Sequence, residues 1–455
     1  MSRALPAPTA ASALERLGAP PEWLGAIGDR AAVEAALRPH IPGLRSCEVV
    51  RVRTKAAGMG AVYLADVAGA GLIELHGRVG APQPPDGAHA GLPGWRRYLP
   101  DLRLVVERGT ADAALPALRS MTDGEEAARL IERLLHDSGR CPDIRVGACR
   151  PRVMRHKPGS RCTVAYDLEL APGAPAEWPR AVVAKTYWGG KCRVAWDGMR
   201  DLWRSPVATA GTVALAEPLA FSPADRIVLQ RSIPHRTTLK AMVREAAGAG
   251  DSVALTNALR RSGRGLSELH ACGVRPPDVR SWADERREVG EIVDRLAALV
   301  PSLDGAVSGL LAGLDRRMAA VAAPAAAPSH GSFRPAQVVI DGDGAIGFID
   351  FDSFCLAEPA ADCALFCSSL RDTGLRALRE LGGDEAGNRA RLDALASEFL
   401  DAYGEAAPVS RERIALWEVL DALTGVLHCW TKAKLGRLPY RLALLRHALH
   451  RAEIA

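Results

Sequence analysis

No stretch of about 20 apolar residues occurs in this 455-residue chain, and Met1 to Gly18 lacks an apolar run long enough for a signal peptide. Membrane spanning is therefore not expected. The ten cysteines are scattered without a CxxC pair, so neither a zinc site nor a disulfide framework is indicated, and reduced thiols in a cytoplasm are the simplest account. Charge of one sign is also scarce. The net charge is +5 with arginines interspersed among acids, which leaves no nucleic-acid footprint. Lysine is rare, seven against 51 arginines, so a lysine inside an apolar strand is unlike the rest of the chain's basic residues. What is abundant is hydrophobic sequence, 48% of the residues, enough for roughly two or three cores.

The most informative segment runs from His330 to Asp362 and reads HGSFRPAQVVIDGDGAIGFIDFDSFCLAEPAAD. Two apolar runs, Val338 to Ile340 and Ile346 to Ile349, flank Gly342-Asp343-Gly344. That is a hairpin signal, because glycine and aspartate accept the positive φ a tight connection needs. Upstream, Val153 to His156 and Thr163 to Leu170 alternate apolar and polar residues as half-buried strands do, with Lys157-Pro158-Gly159-Ser160 as the turn between them. Pro-Gly-Ser exposes backbone N–H groups that could sit near phosphates, and a plain hairpin turn fits equally well. Next comes an apolar strand, Ala181 to Tyr187, interrupted by Lys185, which a snorkelling edge lysine would also explain. Another apolar strand, Arg226 to Pro234, follows.

The His330 segment resembles the aminoglycoside phosphotransferase and choline kinase family, whose catalytic stretch runs HGDxxxxN, then a hairpin, then an apolar strand ending in Asp. His330, Gly331, Ser332 and Gln337 fall on the H, G, D and N positions, Asp350 ends the strand, and Glu358-Pro359 with Asp362 matches the family's xxPxxD tail. The resemblance implies an α+β, bilobal protein kinase-like fold, with a β-rich N-lobe over residues 146–234 and a helical C-lobe over 235–455. It implies ATP and Mg²⁺ as cofactors, with Gln337 and Asp350 holding the metal and Lys185 pairing with phosphates. Lys157 and Gly159 would lie at the nucleotide loop, and the chain around Gln230 and Ile233 at the hinge, where backbone groups meet adenine.

Ser332 departs from the pattern. A serine hydroxyl of ordinary pKa cannot take a substrate proton near neutrality, whereas general-base assistance contributes about 10²–10⁴-fold. Phosphoryl transfer depends chiefly on positioning and charge neutralisation, so slow chemistry remains open. Asp352, two residues beyond Asp350, is a candidate substitute carboxylate, with His330 and Ser332 as the other candidate catalytic residues. In the segment Gly189 to Trp203 no glutamate is available to orient Lys185, and Asp197 and Asp201 are the nearby acids. Two readings follow: a phosphotransferase acting on a hydroxyl of a small molecule or peptide with weakened catalysis, or a pseudokinase scaffold.

Leu255 to Ala271 resembles the LxxLH helix that precedes the catalytic loop in this family, with His270 as a packing or capping residue. Val289 to Val321 repeats apolar residues at helical spacing, and four further amphipathic stretches follow Asp362: Ala364 to Leu381, Gly387 to Tyr403, Arg411 to Lys434 and Tyr440 to Ala452. Within them Trp417, Leu420, Thr424, Leu427 and His428 form a stripe suited to a pocket wall or a core. Residues 1–145 form an α/β extension and a candidate surface for a protein partner. They contain a capping box, Thr122 to Glu125, opening a helix to about His136. They also contain an echo: VVRVRTKAAGMGAVYLADV, from Val49, is similar to RVMRHKPGSRCTVAYDLEL, from Arg152, which suggests a duplicated β unit without a metal-binding half.

Overall fold

The computed structural model describes residues 10–55, 58–69, 71–79, 96–108, 115–157, 160–250, 252–303, 305–383 and 387–454. The chain forms two compact units, each gathered from separated segments. One comprises Met1–Ala111, Ser281–Ala323 and Ser410–Ala455, and the other Asp112–Arg280 and Pro324–Val409.

The first unit carries a five-stranded antiparallel sheet. β1 (Leu44–Lys55), β2 (Gly58–Val67) and β3 (Gly71–Val79) form a meander, and β4 (Arg96–Leu99) and β5 (Leu104–Arg108) return to give the order β1-β2-β3-β5-β4. Four helices of this unit come from late in the chain: Trp282–Ala297, Ala306–Ala320, Arg411–Thr431 and Leu438–Arg451. Trp417 packs edge-on against Trp282 at 4.9 Å between ring centroids, and Trp417, Leu420 and Leu427 are buried. These three members of the stripe are core, whereas Thr424 is part-exposed and His428 exposed.

In the second unit, β6 (Val146–Lys157), β7 (Arg161–Leu170) and β8 (Ala181–Tyr187) make the meander. After the short β9 (Ala214–Leu215), β10 (Pro218–Ser222) and β11 (Ile227–Arg231) complete the order β6-β7-β8-β11-β10. The helix Gly124–Asp137 contributes Ile131, Leu134 and Leu135 to the same buried cluster as Val164, Tyr166, Val182 and Leu229. Its cap is Asp123, which accepts from the N–H groups of Glu125 and Glu126, and not Thr122, whose hydroxyl turns back to Leu118 and Arg119. Val153 and Met154 are half exposed, contrary to the half-buried alternation expected there. β6 is the edge strand of its sheet, and Cys149 is its one buried residue.

The two sheets repeat one another. Each begins with a 12-residue strand followed by a 10-residue strand. Each leading strand has two register shifts, between Leu44/Ser46 and Val49/Arg51 in one and between Val146/Ala148 and Val153/Arg155 in the other. At the sixth position of the second strand stands a buried tyrosine whose hydroxyl donates to a backbone carbonyl, Tyr63 to Ile27 at 3.0 Å and Tyr166 to Met121 at 2.7 Å. The accepting carbonyl lies at a five-residue helix in both cases, Glu22–Ala26 and Leu118–Thr122, and an aspartate, Asp29 or Asp123, caps the helix that follows. The echo in the sequence is thus a repeat of topology and of anchoring.

The rest of the second unit is mostly helical: Lys191–Trp203, Leu239–Ala249, Val253–Ala271, Pro359–Glu380 and Gly387–Gly404. Two small sheets thread through it. One is β12 (Thr237–Thr238), β15 (Val338–Ile340), β16 (Ile346–Phe348) and β9, and the other is β13 (Val279–Arg280), β17 (Cys355–Ala357) and β14 (Ala327–Ser329). β14 leads directly into His330, and β16 leads to Asp350.

Candidate active site

The loop after β14 is fixed by buried polar contacts. Asp362, in the first turn of helix Pro359–Glu380, accepts from the backbone N–H of His330 at 2.6 Å and of Phe333 at 3.4 Å, and lies 3.4 Å from His270 Nε2. His270 Nδ1 in turn faces the Tyr403 hydroxyl at 2.8 Å. Burial opposes the Asp362 charge, but the hydrogen bond from His270 and the neighbouring histidines hold its carboxyl below the usual range. Phe333 locks the loop from the apolar side, stacking against Phe366 at 5.2 Å and meeting Phe348 edge-on at 4.7 Å. Gly331 has φ +70°, and a Cβ there would lie 2.1 Å from the Ser353 carbonyl oxygen. Only glycine fits.

Ser332 and His330 form a pair. His330 Nε2 is 3.0 Å from the Ile349 carbonyl, which can only accept, so the ring proton sits on Nε2. Burial pushes the imidazole pKa down, leaving a neutral ring whose Nδ1 accepts from the Ser332 hydroxyl at 3.3 Å.

Gln337 and Asp350 are brought together by the β15–β16 hairpin. The Ile349 N–H donates to the Gln337 carbonyl at 3.0 Å, and the Asp341 carboxylate accepts from Asp343 and Ala345 to close the turn. Gln337 Oε1 is buried with no hydrogen-bond partner. Asp350 has φ +72°, a left-handed conformation that costs free energy in a non-glycine residue and that recurs at functional sites. The Gln337 amide oxygen and the Asp350 carboxylate are donors of the hard oxygen kind that Mg²⁺ takes, and their chemistry fits that ion. Among the described residues no group of three or more His, Cys, Asp or Glu is placed to hold a metal alone.

Lys185 on β8 reaches this pair. Its Nζ lies 2.7 Å from Asp350 Oδ1 and 2.8 Å from Asp352 Oδ1. Tyr187, two residues along the same strand face, donates its hydroxyl to Asp352 at 2.8 Å. Arg161, the first residue of β7 and paired across the sheet with Tyr187, forms an ion pair with Asp352 and sits 3.8 Å from Asp350. Burial works against the charges of Lys185 and Asp350, yet Lys185 is held above its ordinary pKa by the two carboxylates, and Lys185 and Arg161 hold Asp350 far below its own. The Tyr187 phenol is raised well above its usual range by burial and by Asp352.

The remaining expected residues are placed as follows. Asp197 and Asp201 both pair with Arg200, at 3.2 and 3.1 Å, so the acids that meet Lys185 come from the end of β16. Gln230 is buried on β11 and lines a small enclosed cavity with Met199, Ile349, Asp350 and Phe351. The Ile233 carbonyl faces His235 Nδ1 at 2.8 Å. Lys157 ends β6, while Gly159 lies outside the described residues. Sequence reasoning missed Arg161 as a member of the cluster.

This is an α+β arrangement, with two five-stranded antiparallel sheets and an extensive helical part. Residues 200–397 match the family described as the Phosphotransferase enzyme family, APH, and the resemblance carried by His330 to Asp362 holds over that segment. No curated protein matches the chain. Similar solved structures include a spectinomycin phosphotransferase in complex with ADP and spectinomycin, with 10% identity, 73% of this chain and 98% of that one covered, and TM-score 0.45. A choline kinase from Streptococcus pneumoniae has 13% identity, 71% and 98% coverage, and TM-score 0.44. A glucosamine kinase has 16% identity, 92% and 96% coverage, and TM-score 0.45.

Proposed function

We propose that the protein is an ATP-dependent phosphotransferase that moves the γ-phosphate to a hydroxyl of a small molecule or peptide, with catalysis weakened by Ser332. The observation that carries this reading is the convergence of Lys185 on Asp350, 2.7 Å apart across 165 residues of chain. Lys185 binds phosphates, Gln337 and Asp350 hold Mg²⁺, and the strand from Gln230 to Ile233 supplies backbone groups for the base. When bound, Mg²⁺ would neutralise charge on the transferring phosphoryl group.

At the acceptor side, Ser332 receives a hydrogen bond from the incoming hydroxyl while its own proton points to His330 Nδ1. This orients the nucleophile without a carboxylate. Asp352, the candidate substitute base, is engaged by Lys185, Tyr187 and Arg161, so its first role in this reading is as a counter-ion. An Asp352→Asn variant with unchanged turnover removes it from the proton path.

Calorimetric titration of the full chain with Mg²⁺ and ATP tests the reading. Micromolar binding that is lost in Lys185→Ala and in Asp350→Ala supports it, and no binding by the wild type overturns it. The pseudokinase reading is favoured by one observation, that both carboxylates near the site are matched by Lys185 and Arg161 while the Ser332 hydroxyl faces His330 Nδ1 and no carboxylate. Nucleotide binding without transfer to water or to any acceptor would favour it.

A further inference from the structure

We propose that Arg161 is a second phosphate-binding cation of the nucleotide site, exchanging its aspartate partners for the triphosphate when Mg·ATP enters. The inference rests on the nucleotide site proposed above and extends it to a residue that neither the resemblance nor the family match assigns. Three observations carry it.

First, the cluster is balanced as it stands, with two cations, Lys185 and Arg161, facing two carboxylates, Asp350 and Asp352, all largely buried. A metal ion taken up by Asp350 leaves Lys185 and Arg161 with uncompensated positive charge in a site of low dielectric, and phosphate oxygens are the anions that arrive with that metal. Second, Arg161 has unused donor capacity: its Nε is buried and has no hydrogen-bond partner, while Nη1 is directed to Asp352. A guanidinium presents a planar fork that matches phosphate, so a tetrahedral anion can use donors that the aspartates leave idle. Third, Arg161 is the first strand residue after the Lys157 to Ser160 turn and lies opposite Tyr187, two residues from Lys185 on β8. Side chains at these positions share one face of the sheet. The turn offers a single glycine where a phosphate-cradling loop would need several, and the arginine supplies charge in place of backbone N–H groups.

Calorimetric titrations of the wild type, Arg161→Gln and Arg161→Lys with Mg·ATP and with adenosine test the proposal. Arg161→Gln is expected to weaken Mg·ATP binding by about tenfold or more while adenosine affinity stays within about twofold, since only the phosphates lose a charged hydrogen bond. Arg161→Lys, which keeps the charge balance and guards against a variant that fails to fold, is expected to lose several-fold for Mg·ATP alone. Wild-type affinity for Mg·ATP in both variants, or tighter binding, overturns the assignment and makes Arg161 a latch on Asp352 that competes with the metal. Equal losses for Mg·ATP and adenosine also overturn it. A wild type that binds no Mg·ATP overturns the nucleotide site and this assignment together, whereas wild-type binding with unaffected variants overturns the assignment alone.

Discussion

At the scale of single residues, the missing aspartate sets the first expectation. Ser332→Asp places a carboxylate where the family's catalytic stretch has one, and phosphoryl transfer is expected to rise by about 10²-fold or more. Slow ATP hydrolysis, with water as acceptor, measures this without knowledge of the substrate, and an unchanged rate would mean that the scaffold fails elsewhere. Asp350 sets the second. Its carboxyl titrates lower in the folded chain than the unfolded value of about 3.9, so its ion pairs stabilise the fold fully above that pH. The contribution is lost as pH falls toward the folded value. In Lys185→Met the largest opposing charge is gone while burial remains, so loss of stability is expected to begin at higher pH. Urea midpoints across the acid range, wild type against variant, check the sign. Lys185 and Asp350 were legible in the sequence because each breaks an apolar strand in a chain where lysine is rare. Arg161 was not, because one arginine among 51 carries no signal until the sheet register sets it opposite Tyr187.

At the scale of elements, the repeated sheets make a paired prediction. Tyr63→Phe and Tyr166→Phe each remove a buried donor and leave a backbone carbonyl short of its partner, and each is expected to cost about 1–2 kcal/mol. Equal losses in denaturant midpoints would fit one anchoring device used twice, and a loss in only one would separate the two sheets. The glycine turn before Ser332 is less forgiving. Gly331→Ala is expected to destabilise the second unit and abolish nucleotide-dependent thermal stabilisation, since both φ and the Ser353 carbonyl forbid a side chain. The meanders were readable from alternation and turn residues. The exposure of β6 was not, because apolar residues such as Val153 and Met154 suggest burial whether or not a layer covers them. The capping box also pointed one residue early, since Thr122 and Asp123 are both competent caps and only the backbone selects between them.

At the scale of the whole molecule, the ten cysteines are thiols outside any disulfide, and all are buried. Burial pushes the Cys47 thiol up to about 11 and that of Cys192 up to about 12, so neither is an effective nucleophile near neutrality. A thiol reagent is expected to label the native protein slowly and all ten sites once it is unfolded, and rapid labelling of several sites in the native state would contradict the burial. The grouping of segments into units was not legible in the sequence. Local periodicity finds the helices Arg411–Thr431 and Leu438–Arg451 but says nothing about which distant strands they join.

One contact within the first unit has a consequence in time. The indole N–H of Trp430 donates to the carbonyl of Leu17 at 3.0 Å, across a separation of 413 residues. During synthesis, at roughly 5–20 residues per second, that carbonyl waits on the order of 20–80 s for its partner to leave the ribosome. The unit that opens the chain is therefore the last to close, and until then its sheet stands without the helices that complete its core. Nascent chains arrested once the second unit has emerged but before the helix Arg411–Thr431 has are expected to bind chaperones or be cut by protease in the segments of the first unit, while the second unit, already whole, resists.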